Sequence, residues 1–139
     1  MKLREYNPEV YPIRLWICTD PNPEELADEL VMFEMDDTLP SPKRNIEMFE
    51  DLMPYSSSNC CKVVNDDGVR GCLLVFSETK DYVFVHECSH FVDWCDEYLG
   101  LESHDFEHGE ARAYLTEWAF NCCNKFIKDG WFSKSKKWS

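Results

Sequence analysis

Val10 to Cys18 alternate apolar and other side chains closely enough to predict a strand, with Pro12 near its start, where a missing N–H does least harm. Asp20-Pro21-Asn22-Pro23 then reads as a turn. Asn22 can cap a helix whose first position is Pro23, and the pattern carries that helix from Glu24 to about Phe33. Residues 34–59 are less regular. Leu39-Pro40-Ser41-Pro42 interrupts the chain, Ile46 to Leu52 predicts a short helix, and Pro54 to Asn59 reads as loop. This is the one segment long enough to act as a lid or specificity loop.

The second half is more strongly patterned. Cys60 to Val64 and Val69 to Phe76 are β-prone runs flanking Asn65-Asp66-Asp67-Gly68, with Asp-Gly at the expected hairpin turn. Turn chemistry accounts for Asp66 and Asp67 better than calcium binding does. A further β-prone run, Tyr82 to Val85, leads into a segment with helical periodicity that ends at Gly100, a suitable C-cap. At ~100° per residue, His86, His90 and Asp93 fall within about 60° of one another. Cys88, Phe91, Val92, Cys95, Tyr98 and Leu99 take the opposite, apolar side. Another helix is expected from about Glu107 toward Phe126. The resulting order, β–α–(α)–β–β–α–α, belongs to the α+β class.

The helix to Gly100 carries the chemistry. His86-Glu87-Cys88-Ser89-His90 is an HExxH sequence. On a helix, histidines four apart project one turn apart from the same face and can grip one zinc ion, with Glu87 placed as a general base for an activated water. A tetrahedral catalytic zinc needs a third protein ligand and keeps one position open. Downstream candidates are Glu110, His104 and His108. Asp93 is another, although a carboxylate there more often orients a ligand histidine through its second ring nitrogen. Glu110, Ala113, Tyr114 and Glu117 share one side of the second helix, where a small Ala113 permits close approach. Tyr114 is a candidate oxyanion donor, set against a packed aromatic as the plainer reading. Arg112 is expected to be solvated or to pair with a carboxylate.

Val69 to about Phe126 resembles small zincin-type metallopeptidases of the gluzincin kind, in particular compact, mostly uncharacterised ones of phages and gut bacteria. The resemblance rests on an apolar strand, the HExxH helix, and Glu110-Ala111-Arg112-Ala113-Tyr114 on a following helix. It implies Zn2+ held by His86, His90 and Glu110, with Glu87 as base and a peptide or protein as substrate. It also implies a single compact zincin-like domain over residues 1–139. That domain has a small antiparallel or mixed sheet, the HExxH helix and a Glu-bearing helix, with its core motif region at 69–128. In such folds an edge strand lies over the cleft, a role that would fall to Val69–Phe76; the residues alone fit a core strand as well.

Composition narrows the alternatives. The 139 residues carry a formal net charge of −13, with a sequence pI near 4.6, against the basic surface that nucleic-acid binding requires. The basic cluster Lys134-Ser135-Lys136-Lys137 reads as a solvated terminus. No apolar run approaches the ~20 residues of a membrane span, and Met1–Tyr6 has no apolar signal core, so a cytoplasmic setting is expected. The eight cysteines include no CxxC pair and are read as reduced thiols, several on apolar helix faces. The acidity supports a second reading: a catalytically inactive zincin-like protein that binds a protein partner, for example a phage factor against a host protein.

Overall fold

The computed structural model describes residues 1–52, 58–102, 106–107 and 109–138, with side chains through 129. Its elements are β1 (Lys2–Tyr6), β2 (Arg14–Thr19), α1 (Pro23–Glu29), β3 (Leu30–Met32), α2 (Pro42–Asp51), β4 (Ser58–Asn65), β5 (Arg70–Phe76), α3 (Asp81–Leu99) and α4 (Glu110–Trp138). This is an α+β architecture with a mixed five-stranded sheet and four helices. Contacts divide the chain into two units, Met1–Glu78 and Thr79–Ser139.

In the first unit the sheet order is β1-β2-β5-β4-β3. Strand β2 runs parallel to β5, and the other pairings are antiparallel. The central strands β2 and β5 are nearly continuous apolar runs, as expected where both faces of a strand are buried. Trp16 and Cys18 pair in register with Leu73 and Val75. These four form a core with Cys61 and Val63 of β4, Leu26 of α1 and Phe49 of α2. Leu15, Ile17, Cys72, Leu74 and Phe76 alternate with them along the strands and are buried as well.

Both helices of this unit begin as their sequences dictate. Asn22 accepts a hydrogen bond from the Glu25 amide at 3.1 Å, and Ser41 accepts one from the Arg44 amide at 3.2 Å, each with a proline at the first position. The expected Asp-Gly hairpin joins β4 and β5. Asn65 Oδ1 accepts from the Asp67 and Val69 amides at 3.0 and 2.9 Å, and Gly68 takes φ +78°.

Several expectations are corrected. The helix expected to reach Phe33 stops at Glu29, because Leu30–Met32 pairs with Asn65–Val63 of β4. Asn45 of α2 clamps this strand: its Oδ1 accepts from the Met32 amide at 2.9 Å and its Nδ2 donates to the Leu30 carbonyl at 3.0 Å. Strand β1 was not anticipated, since Lys2, Arg4 and Glu5 hide its pattern at a sheet edge, where charge discourages further pairing. Much of the supposed lid is ordered structure, with α2 running from Pro42 to Asp51; residues 53–57 lie outside the described ones. Val69–Phe76 is not an edge strand, because β5 is flanked by β2 and β4.

The second unit is an α-helical pair. Tyr82–Val85 belongs to α3 rather than to a strand. The Val83 and Phe84 amides donate to the Lys80 carbonyl at 3.0 and 3.2 Å, opening a helix whose stripe Val83, Phe84, Cys88, Phe91, Val92 and Cys95 is buried. Gly100 ends it in the left-handed conformation, φ 64°, as the sequence indicates. Among the described residues no helix is long and apolar enough to cross a membrane.

Candidate metal centre

The 3.6-residue period of α3 separates the motif's three polar side chains by depth. His86 and His90 are exposed, on the face opposite Cys88, Phe91 and Cys95. Glu87 lies 100° around the helix from His86, at the margin of the apolar stripe, and is only 3% exposed. The ring centroids of His86 and His90 are 4.9 Å apart with planes at 76°, and His86 Nε2 lies 3.7 Å from Glu87 Oε1. One ligand atom from each of His86, Glu87 and His90 can be chosen so that all lie within 4.8 Å of one another. Two imidazoles and a carboxylate gathered in this way are a group that could hold a metal ion.

Glu110 is the first residue of α4 and is exposed; it does not belong to this three-residue group. Val85 and Cys88, which bracket His86 and Glu87, line one groove together with Gly109 and Ala113, which bracket Glu110. Tyr114 is 44% exposed, so it is not the packed aromatic of the plainer reading. His104 and His108 lie outside the described residues.

Asp93, weighed as a ligand or as an orienting carboxylate, is engaged from α4. Arg112 Nη2 donates to Asp93 Oδ1, and Arg112 Nη1 donates to Asp96 Oδ2 at 3.5 Å. The expectation that Arg112 pairs with a carboxylate therefore holds, with two partners one turn apart on α3. The groove itself was not anticipated. Its sequence signal is small residues, Gly109 and Ala113, at the start of a helix that faces an exposed valine. No protein-family model, curated protein or solved structure matches this chain.

Proposed function

We propose that this chain is a zinc-dependent hydrolase acting on peptide bonds, with His86 and His90 as metal ligands, Glu110 completing the set and Glu87 as general base. The observation that carries the reading is the clustering of the His86, Glu87 and His90 donor atoms, with both histidines open to solvent and the carboxylate buried beside them. A zinc ion held there supplies Lewis acidity and brings the pKa of a coordinated water toward ~7.

The protein's own groups do the rest. Glu87 is buried, with its carboxylate 3.7 Å from His86 Nε2, and is assigned to take the proton of an attacking water and return it to the leaving amine. Glu110 is assigned as third ligand because it is exposed at the start of α4, the helix that packs on α3. Tyr114, one turn beyond Glu110 and accessible, is assigned to donate to the developing oxyanion. A zincin-like fold is part of the same proposal.

Elemental analysis of untagged protein tests the metal. We expect about one zinc per chain, as a single structural or catalytic site requires, lost in His90→Ala and reduced in Glu110→Ala. Absence of zinc, with no uptake on titration, would sink the reading. Zinc without turnover on any peptide would favour the inactive, partner-binding alternative, for which the net charge of −13 is the supporting observation.

A further inference from the structure

Cys88 of α3 and Cys123 of α4 meet sulfur to sulfur. Their Sγ atoms are 3.7 Å apart, the two residues are 1% and 0% exposed, and both are free thiols. They are 35 positions apart in the chain, so a bond between them would close a long loop. A disulfide holds its sulfurs ~2.05 Å apart, which leaves this pair about 1.7 Å short of a bond. Rotation about the two Cα–Cβ bonds, with a small approach of the helices, supplies that closure.

Contacts along the same helical pair keep the thiols facing each other. Phe91 and Trp118 pack with ring centroids 6.1 Å apart, and Arg112 of α4 donates to Asp93 and Asp96 of α3. These contacts hold the helices in one register, so the two sulfurs are already neighbours before any reaction. Access to them is unequal. Cys88 lines a groove together with Val85, Ala113 and Phe120, and Val85 and Ala113 are exposed. Cys123 is fully buried and does not line that groove. A small oxidant entering there meets Cys88 first, with Cys123 behind it.

We infer that Cys88 and Cys123 form an oxidation site for a small peroxide, and that they close into a disulfide stapling the HExxH helix to α4. In the first step the Cys88 sulfur attacks one peroxide oxygen. An S–O bond forms, the O–O bond breaks, and the departing hydroxide leaves as water with the thiol proton. In the second step the Cys123 sulfur attacks the Cys88 sulfenic acid. The S–S bond forms, the S–O bond breaks, and the hydroxyl leaves as water with the Cys123 proton. Two thiols have then lost two electrons, and one peroxide has become two waters. The bond lies on the apolar side of α3, opposite His86 and His90, and the inference does not depend on the hydrolase reading.

The test treats reduced full-length protein with a modest excess of hydrogen peroxide under native conditions. The remaining thiols are then alkylated in urea, and the protein is mapped without reduction. The peptide pair joining Cys88 to Cys123 should be at least ~10-fold more abundant than any other linkage, since only sulfurs held in contact gain the advantage of proximity. Dithiothreitol should reverse it. The oxidised form should melt about 5 °C or more above the reduced one, as a cross-link that closes a long loop provides. In Cys123→Ala, dimedone should label Cys88 as a sulfenic acid, while in Cys88→Ala it should leave Cys123 unlabelled.

The wild-type map decides the matter even where a variant folds poorly. No native cross-link, a link from Cys88 to Cys122 instead, or a bond that appears only in unfolded protein would overturn the proposal. A bond that forms but leaves the melting temperature unchanged or lower would overturn the staple. Dimedone labelling of Cys123 in folded Cys88→Ala protein would overturn the order of attack.

Discussion

Cys88 Sγ on α3 and Cys123 Sγ on α4 lie 3.7 Å apart in the buried seam of the helical pair. The contact is possible because both positions hold small, weakly polar side chains that let the helices approach. Phe91 and Trp118 pack across the same pair, their ring centroids 6.1 Å apart. The back of the HExxH helix is thus held by apolar and thiol contacts, and its front carries the histidines.

The thiols should behave as core residues. Burial pushes Cys18 and Cys122 from the usual 9.0 up to about 12. The contact with Cys88, reinforced by burial, raises Cys123 further. Iodoacetamide at pH 8 should therefore modify the half-buried Cys60 first and leave these three unmodified until the protein is unfolded, as read by peptide mapping. Because the folded-state values lie above the unfolded ones, the contribution of Cys18 and Cys122 is complete below pH 9. It is lost as pH rises toward about 12. Urea midpoints followed across that window should fall for wild type and fall less for Cys18→Ala. Equal slopes would contradict the assignment.

Glu87→Gln keeps shape and hydrogen-bonding capacity but cannot accept the proton. Zinc content and melting temperature should stay near wild type while peptide hydrolysis drops ~10²–10⁴-fold, the usual contribution of a general base. A variant that retained turnover would remove Glu87 from that role. One that lost zinc as well would place the carboxylate among the ligands, consistent with its membership of the three-residue donor group.

How far the sequence disclosed this arrangement depended on whether the deciding interactions were local. The α3 helix was legible in its histidine spacing and its terminal glycine, and the β4–β5 hairpin in Asp67-Gly68, because a few adjacent residues determine each. Tyr82–Val85 misled, since its β-branched and aromatic residues favour strands while the buried stripe that makes them helical is completed only by Phe91 and Cys95, further along. Leu30–Met32 misled for a similar reason: it continues a helical apolar pattern, and only pairing with β4 shows otherwise. At the site, the His86–His90 pair is a local property of one helix. Glu110 and the groove depend on how two helices pack, which spacing does not determine.

Asn45 is one of two buried polar or charged residues among those described, the other being Glu87, and it satisfies two backbone groups of a three-residue edge strand. Asn45→Ala would leave the Met32 amide and the Leu30 carbonyl without these partners, and each unsatisfied buried group costs about 1–3 kcal/mol. We expect a loss of about 2–5 kcal/mol in chemical denaturation, with the Leu30–Met32 amides losing hydrogen-exchange protection before those of β5. Uniform loss across the sheet would mean that Asn45 supports the whole unit rather than this strand.

Gly71 of β5 pairs with Arg14 of β2 at the start of the parallel ladder, and a Cβ placed there would stand 1.9 Å from the Arg14 carbonyl oxygen and 2.9 Å from the Trp16 ring. The first contact is with backbone, so no rotamer change relieves it. The two central strands would have to separate where Trp16 and Leu73 meet in the core. Gly71→Ala should therefore cost well over the ~1 kcal/mol typical of a point substitution, whereas Gly68→Ala meets no neighbouring atom and is limited to the strain of a positive φ. Urea denaturation of the two variants side by side separates a close approach from a turn requirement. If Gly71→Ala were no worse than Gly68→Ala, the strands would not be packed as tightly as their register requires.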